Sequence, residues 1–168
     1  MAEPDAVDRI IEQWHRERPD LELESMAVFG RIHRISKKLG AVLGHARTEY
    51  GLGRGEFDVM ASIRRSGEPF ILSPKQISAT LMLSSGGLTG RLDKLESAGY
   101  IERLPDPDDR RGLKVKMTDE GRRVIDAAVG AGLDIQDRLL AALNAEERRR
   151  LDALLRKLHV AFEDQPFA

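Results

Sequence analysis

Cysteine is missing from the 168 residues. That excludes disulfides and thiol-based redox sensing, and it fits a cytoplasmic chain. No apolar run approaches the roughly 18 residues that a membrane-spanning helix needs, so none is expected. The acidic, charge-broken start MAEPDAVDRIIEQWHRERPD does not resemble a signal peptide. A large net charge is also missing. The 27 Lys and Arg stand against 28 Asp and Glu, so the overall balance says nothing for nucleic acid. His15, His33, His45 and His159 form no close-spaced ligand pair, and there is no HExxH or Cys motif. No metal and no cofactor are therefore expected. Gly51-Leu-Gly-Arg-Gly55 lacks the Lys-Ser/Thr of a phosphate-binding loop and reads as a plain loop. Neither an internal repeat nor a low-complexity segment is present. An enzyme is the least expected class.

What is present is a core-forming chain with 41% apolar and 33% charged residues. That suits one domain with arms. Its charge is unevenly spread. Residues 1–30 hold three basic and eight acidic residues, residues 31–65 eight and three, and residues 73–118 eight and six. The middle can present a basic face, or simply ordinary helix-surface charge.

Helical spacing predicts a first helix over about Asp5 to Arg18, with Ile10, Ile11 and Trp14 on one face. A long second helix is predicted from about Leu23 to Glu49. Its apolar seam is Val28, Ile32, Ile35, Leu39, Val42 and Ala46. Glu56 to Arg65 reads as a short helix ended by Ser66-Gly-Glu-Pro69. Ser73 is an N-cap signal, with Pro74 at the first helical position and a helix to Leu81. Ser84 or Ser85 caps another helix that Gly99 terminates. Tyr100–Leu104 and Leu113–Met117 read as strands joined by a polar turn over 105–112. Thr118 caps a helix to about Ala142. Asn144 caps the last helix, with the stripe Leu151, Leu155, Leu158 and Phe162.

The informative unit is the order helix, tight turn, helix, hairpin across 73–118. This is the plan of a winged helix-turn-helix. Its second helix can lie in the major groove and meet base edges with its N-terminal residues. Here those are Ser84, Ser85, Gly86 and Thr89, while Leu88, Leu92 and Leu95 face a core. Arg110 and Arg111 on the hairpin tip can reach phosphates or the narrow minor groove. Asp109 can orient a guanidinium. Ser73, Lys75, Arg91 and Lys94 complete the candidate DNA contacts. The fold class expected is mainly α, a winged helix-turn-helix with N- and C-terminal dimerisation helices. The expected division is residues 1–50 for N-terminal dimerisation, 51–118 for DNA binding and 119–168 for C-terminal dimerisation, intertwined as one domain.

The run from Ser84 to Arg103, with Asp106-Pro-Asp-Asp-Arg-Arg-Gly112 and Met117-Thr-Asp-Glu-Gly121, resembles the MarR family of bacterial regulators. The resemblance spans about Leu23 to Phe162. It implies a homodimeric transcription regulator, a repressor by expectation, whose two reading helices bind a pseudo-palindromic operator in double-stranded DNA. It also marks Asp109 and Arg111 as characteristic wing residues. A finer resemblance is to the urate-responsive branch (PecS-like and HucR-like regulators), which has an extra N-terminal helix. There, ligand response is attributed to a tryptophan on that helix, an Asp and an Arg seven residues apart, and an Arg on the reading helix. Trp14, Asp58, Arg65 and Arg91 stand at matching places, so urate or another purine is the implied effector.

Physically, Asp58 and Arg65 lie two turns apart on one helical face, about 10 Å along the axis. The small Ala61 and Ser62 between them can leave a cleft. An Arg fork and an aromatic wall suit a planar acidic heterocycle. A ligand that recruits Arg91 would shift the reading helix itself. Plainer alternatives stay open. Trp14 can be dimer core, Asp58 and Arg65 surface charges, Arg91 a phosphate contact, and Arg64 can replace Arg65. A regulator for phenolic or lipophilic compounds, or a winged-helix interaction module, also fits.

Overall fold

A computed structural model of the chain describes residues 3–81, 85–107 and 109–164. It divides into two compact units, Met1–Arg54 and Gly55–Ala168.

The first unit is a helix pair, α1 (Ala6–Glu17) and α2 (Glu24–Thr48). Asp5 starts α1 because its carboxylate accepts the orphan N–H groups of Val7 (2.6 Å) and Asp8 (2.9 Å). Asp8 closes the capping box by accepting from the Asp5 backbone. Packing and ion pairs join the helices. Val7 is buried close to Gly30, where an added Cβ would come within 3.3 Å of it. Arg31 on α2 pairs with Asp5 at 2.8 Å and with Asp8. The apolar seam of α2 is in place as a line, but no α2 residue is buried, and Val28, Ile35 and Val42 are exposed.

The second unit holds α3 (Arg54–Arg65), β1 (Ile71–Leu72), α4 (Pro74–Leu81), α5 (Ser85–Ser97), β2 (Ile101–Asp106), β3 (Asp109–Met117), α6 (Asp119–Leu140) and α7 (Ala145–Asp164). Its antiparallel sheet has the order β1-β3-β2. The core is built from Val59, Met60 and Ile63 on α3, Ile77 on α4, and Leu88, Leu92 and Leu95 on α5. Ile101, Val115 and Met117 of the sheet and Val124, Ile125 and Ala128 on α6 complete it. This is the expected winged helix-turn-helix, mainly helical. Among the described residues, no helix is long and apolar enough to cross a membrane.

Local chemistry explains most boundaries. Ser73 and Gln76 form a reciprocal cap at α4, the Gln76 N–H donating to Ser73 Oγ (3.3 Å) and the Ser73 N–H to Gln76 Oε1 (2.8 Å). Gly99, at φ 74°, ends α5. There the Tyr100 N–H reaches the Leu95 carbonyl and the Gly99 N–H the Glu96 carbonyl, the paired bonds of a Schellman ending. Thr118 caps α6 by accepting from the Gly121 N–H. Asn144 caps α7 through the N–H groups of Glu146 and Glu147.

Three features depart from the sequence reading. The strand β1 was not expected: two residues are too few for alternation to show, and β1 exists only because Ile71 and Leu72 pair with Lys116 and Val115. The turn expected over 105–112 is shorter, because the ladder continues to Asp106↔Asp109. Pro105 is tolerated in it since β2 is an edge strand, where a missing N–H need not break pairing. Finally, Gly55 is helical instead of part of a loop: Gly51 alone in the run 51–55 takes a positive φ, 69°.

Candidate nucleic-acid interface and effector residues

α4 and α5 form the helix pair that a groove-reading unit needs, with the leucine face of α5 inward and Thr89, Asp93 and Lys94 outward. Ser84 lies outside the described residues. Ser85 and Gly86 open α5, as the N-terminal placement requires. Ser73 is engaged as the α4 cap, and Lys75 is exposed on the first turn of that helix. Arg110 and Arg111 belong to β3 near the wing tip.

The wing is braced along its length. Glu102 faces Lys116 at 2.9 Å across the strands, and its hydrogen bond raises the lysine's proton affinity above the usual. Lys114 binds Asp106, whose side chain is mostly buried, at 3.0 Å. Nearer the tip, Gly112 lets two acidic residues close in: an added Cβ would meet the Cβ of Asp106 at 2.9 Å and that of Asp109 at 3.0 Å. Asp109 thus lies close to Gly112 near the tip while staying exposed. At the base of β2, Arg103 spans α5. It donates to Asp93 and to Glu96, both at 2.6 Å, so the wing and the reading helix are joined by ion pairs.

The two basic residues of α5 turn toward the start of α3. The Arg91 guanidinium lies against Gly55, where an added Cβ would come within 2.5 Å of Nε and 2.7 Å of Cζ. Lys94 Nζ stands 3.4 Å from Glu56 Oε1. Sequence reasoning missed both seats. Gly55 falls in a glycine-rich run that the sequence presents as a loop, and Glu56 carries no motif that pairs it with a residue 38 positions on.

Gly55, Asp58, Ser62 and Arg65 share one face of α3, three or four residues apart. Ser62 is 2% exposed. Its hydroxyl donates to the Asp58 carbonyl at 2.9 Å and accepts from Arg65 Nη2 at 3.4 Å. The structure therefore places Arg91, Asp58 and Arg65 along one helix face. Trp14 stands on α1 in the first unit, 42% exposed. Arg64 points elsewhere: it binds Asp126 of α6 through two bonds, of 2.7 and 3.2 Å, and lies 5.1 Å over the Phe70 ring. Those partners occupy the guanidinium that sequence alone left as an alternative to Arg65.

A separate cleft of about 580 Å³ opens between α4, α5 and the wing. Pro74, Leu88, Leu92 and Leu113 form its apolar wall, with Thr89 and Arg103 among its polar groups.

Comparison with known proteins agrees with this architecture. The MarR family profile matches residues 50–112. The chain is 40% identical over 149 residues to the HTH-type transcriptional regulator PecS of Dickeya dadantii, covering 89% of this chain and 90% of PecS. It is 31% identical over 140 residues to the multiple antibiotic resistance protein MarR of Escherichia coli K12, covering 83% and 95%. A mutant MarR from E. coli, solved in complex with operator DNA, is similar in structure with a TM-score of 0.67 at 31% identity, covering 83% of this chain and 98% of that one.

Proposed function

This chain belongs to the MarR family of DNA-binding transcription regulators, and from that premise we propose that it is a homodimeric repressor whose hold on a pseudo-palindromic operator is weakened by urate or a related small anion. One observation carries the effector half. Arg91, on the reading helix, rests on the same face of α3 that presents Asp58 and Arg65. Arg91 sits at Gly55, about 15 Å along the axis from Arg65, so an anion bound on this face acts on Arg91 by drawing it off that seat, which changes how α5 sits on α3. The ligand then has different affinities for the DNA-bound and released states, which is what shifts the equilibrium between them. The likeness to PecS supports the same branch. Ser84, Ser85, Gly86 and Thr89 are assigned to the major groove, Ser73 and Lys75 to phosphates, and Arg110 and Arg111 to the wing contact, with Asp109 orienting them.

The test is a gel shift on the region upstream of the protein's own gene. Tighter binding than to random DNA is expected. Urate should release the DNA while quenching or shifting Trp14 fluorescence, and Arg65→Ala and Asp58→Ala should each need about tenfold more urate, the loss of roughly 1.4 kcal/mol. An unchanged titration in both variants would remove those residues from the site.

The apolar cleft beside α4 favours a second reading, a phenolic or lipophilic effector. A planar phenol there would contact Leu88 and Leu92 with Arg103 as its polar anchor. Release by a simple phenolic acid and not by urate, abolished in Arg103→Ala, would select this reading.

A further inference from the structure

From Arg31 to Arg47, α2 carries charge of one sign only. Arg31, Arg34, Lys37, Lys38 and Arg47 stand there with no Asp or Glu. Arg31 is neutralised by Asp5 and Asp8 of the α1 cap. Arg34, Lys37 and Lys38 are exposed and enter no ion pair among the described residues. Three and four positions apart, they line one face of the helix. Like charges at that spacing repel and weaken a helix, and nothing described within the unit offsets the repulsion. The ridge lies roughly 120° around the axis from the exposed apolar line Val28, Ile35 and Val42. A partner helix seated on the apolar line therefore leaves the cations accessible.

We propose that Arg34, Lys37 and Lys38 form an auxiliary contact to the sugar-phosphate backbone of duplex DNA, outside the winged helix-turn-helix. The inference rests on the chain's binding to duplex DNA. Arg34 to Lys38 spans about 6 Å of helix, and one DNA strand presents a phosphate about every 3.4 Å along its axis. The ridge is thus matched to neighbouring phosphates on one strand. Contacts of this kind position a protein without reading sequence. They also explain why a chain with no net positive charge concentrates uncompensated cations on a helix that carries none of the base-reading residues.

The salt dependence of binding tests this. The full-length Arg34→Gln/Lys37→Gln/Lys38→Gln variant keeps polar side chains and helix propensity while removing the charges. Binding is measured by fluorescence anisotropy between 50 and 200 mM salt. The probes are a 40-base-pair duplex from upstream of the gene and a scrambled duplex of equal composition. Each lost phosphate contact lowers the slope of log K against log salt by about 0.9. The variant should lose about two to three units of slope per protomer. It should also bind both duplexes more weakly by the same factor, about tenfold or more at the lower salt. Lys37→Arg/Lys38→Arg should retain the wild-type slope. The Lys37→Gln/Lys38→Gln pair carries the measurement if circular dichroism shows the triple variant misfolded. A wild-type slope in the folded variant overturns the proposal and leaves the ridge to an acidic protein surface. A loss confined to the upstream duplex also overturns it. Failure of the wild type to bind either duplex overturns this proposal and the DNA-binding reading together.

Discussion

Gly121 illustrates what a single position can be held to. It lies in the first turn of α6, and a Cβ there would fall 2.0 Å from the Tyr100 carbonyl oxygen. The neighbour is backbone, already accepting the Thr118 N–H, and Thr118 Oγ donates to the adjacent Gly99 carbonyl. Nothing at the joint can swing aside. Gly121→Ala should therefore destabilise the protein by about 1–3 kcal/mol, the usual cost of overpacking, read as a lower urea midpoint with an unchanged slope. The Met-Thr-Asp-Glu-Gly run made Thr118 legible as a cap. The reason for the glycine was not legible, because it depends on where the backbone of Tyr100, between α5 and β2, passes.

At the scale of elements, α1 is held to α2 by a cap that doubles as an ion-pair partner. The Asp5 carboxyl is lowered from 3.8 to about 2, chiefly by the Asp8 N–H that donates to it. Partial desolvation opposes the shift, and Arg31 and the Val7 N–H reinforce it. A carboxyl with a depressed folded pKa contributes stability that is complete above its unfolded value and is lost as pH falls through the folded value. The anchoring of α1 is therefore expected to be intact above about pH 4 and to weaken between about 4 and about 2. Trp14, the sole tryptophan, reports it by fluorescence. Asp5→Asn should flatten that pH response while leaving the core transition in place; an identical pH profile in the variant would reject the assignment.

For the whole molecule, the exposed apolar surface of the long helices is the governing fact. Ile35 and Val42 on α2, Leu133 and Leu139 on α6, and Leu154 and Val160 on α7 are each about half or more exposed in the single chain. Patches of that kind mark association surfaces. Sedimentation equilibrium should give twice the 18.8 kDa chain mass. The melting temperature should rise with protein concentration, as for any fold stabilised by its partner. Leu133→Glu with Leu154→Glu should shift the chain toward monomer and weaken operator binding by more than tenfold, since each half-site is then held separately. A monomer at all concentrations would remove dimerisation from the proposed function.

Much of this architecture was carried by local chemistry. Ser73 with Pro74, Gly99, Thr118 and Asn144 each end or begin a helix through bonds to residues at most five positions away. Such bonds are written in the sequence itself, as is the alternation Leu113-Lys-Val-Lys-Met117 that makes β3. Side-chain partners across helices were a different matter. Arg64 chooses Asp126, Lys94 chooses Glu56 and Arg91 chooses Gly55 over distances of tens of residues. Only packing decides which faces meet, so the tertiary structure alone paired Arg64 with Asp126 and set Arg91 against Gly55, on the α3 face that carries Asp58 and Arg65. The missing cysteine and the winged helix-turn-helix were settled by sequence; the seat of the reading helix was settled by the fold.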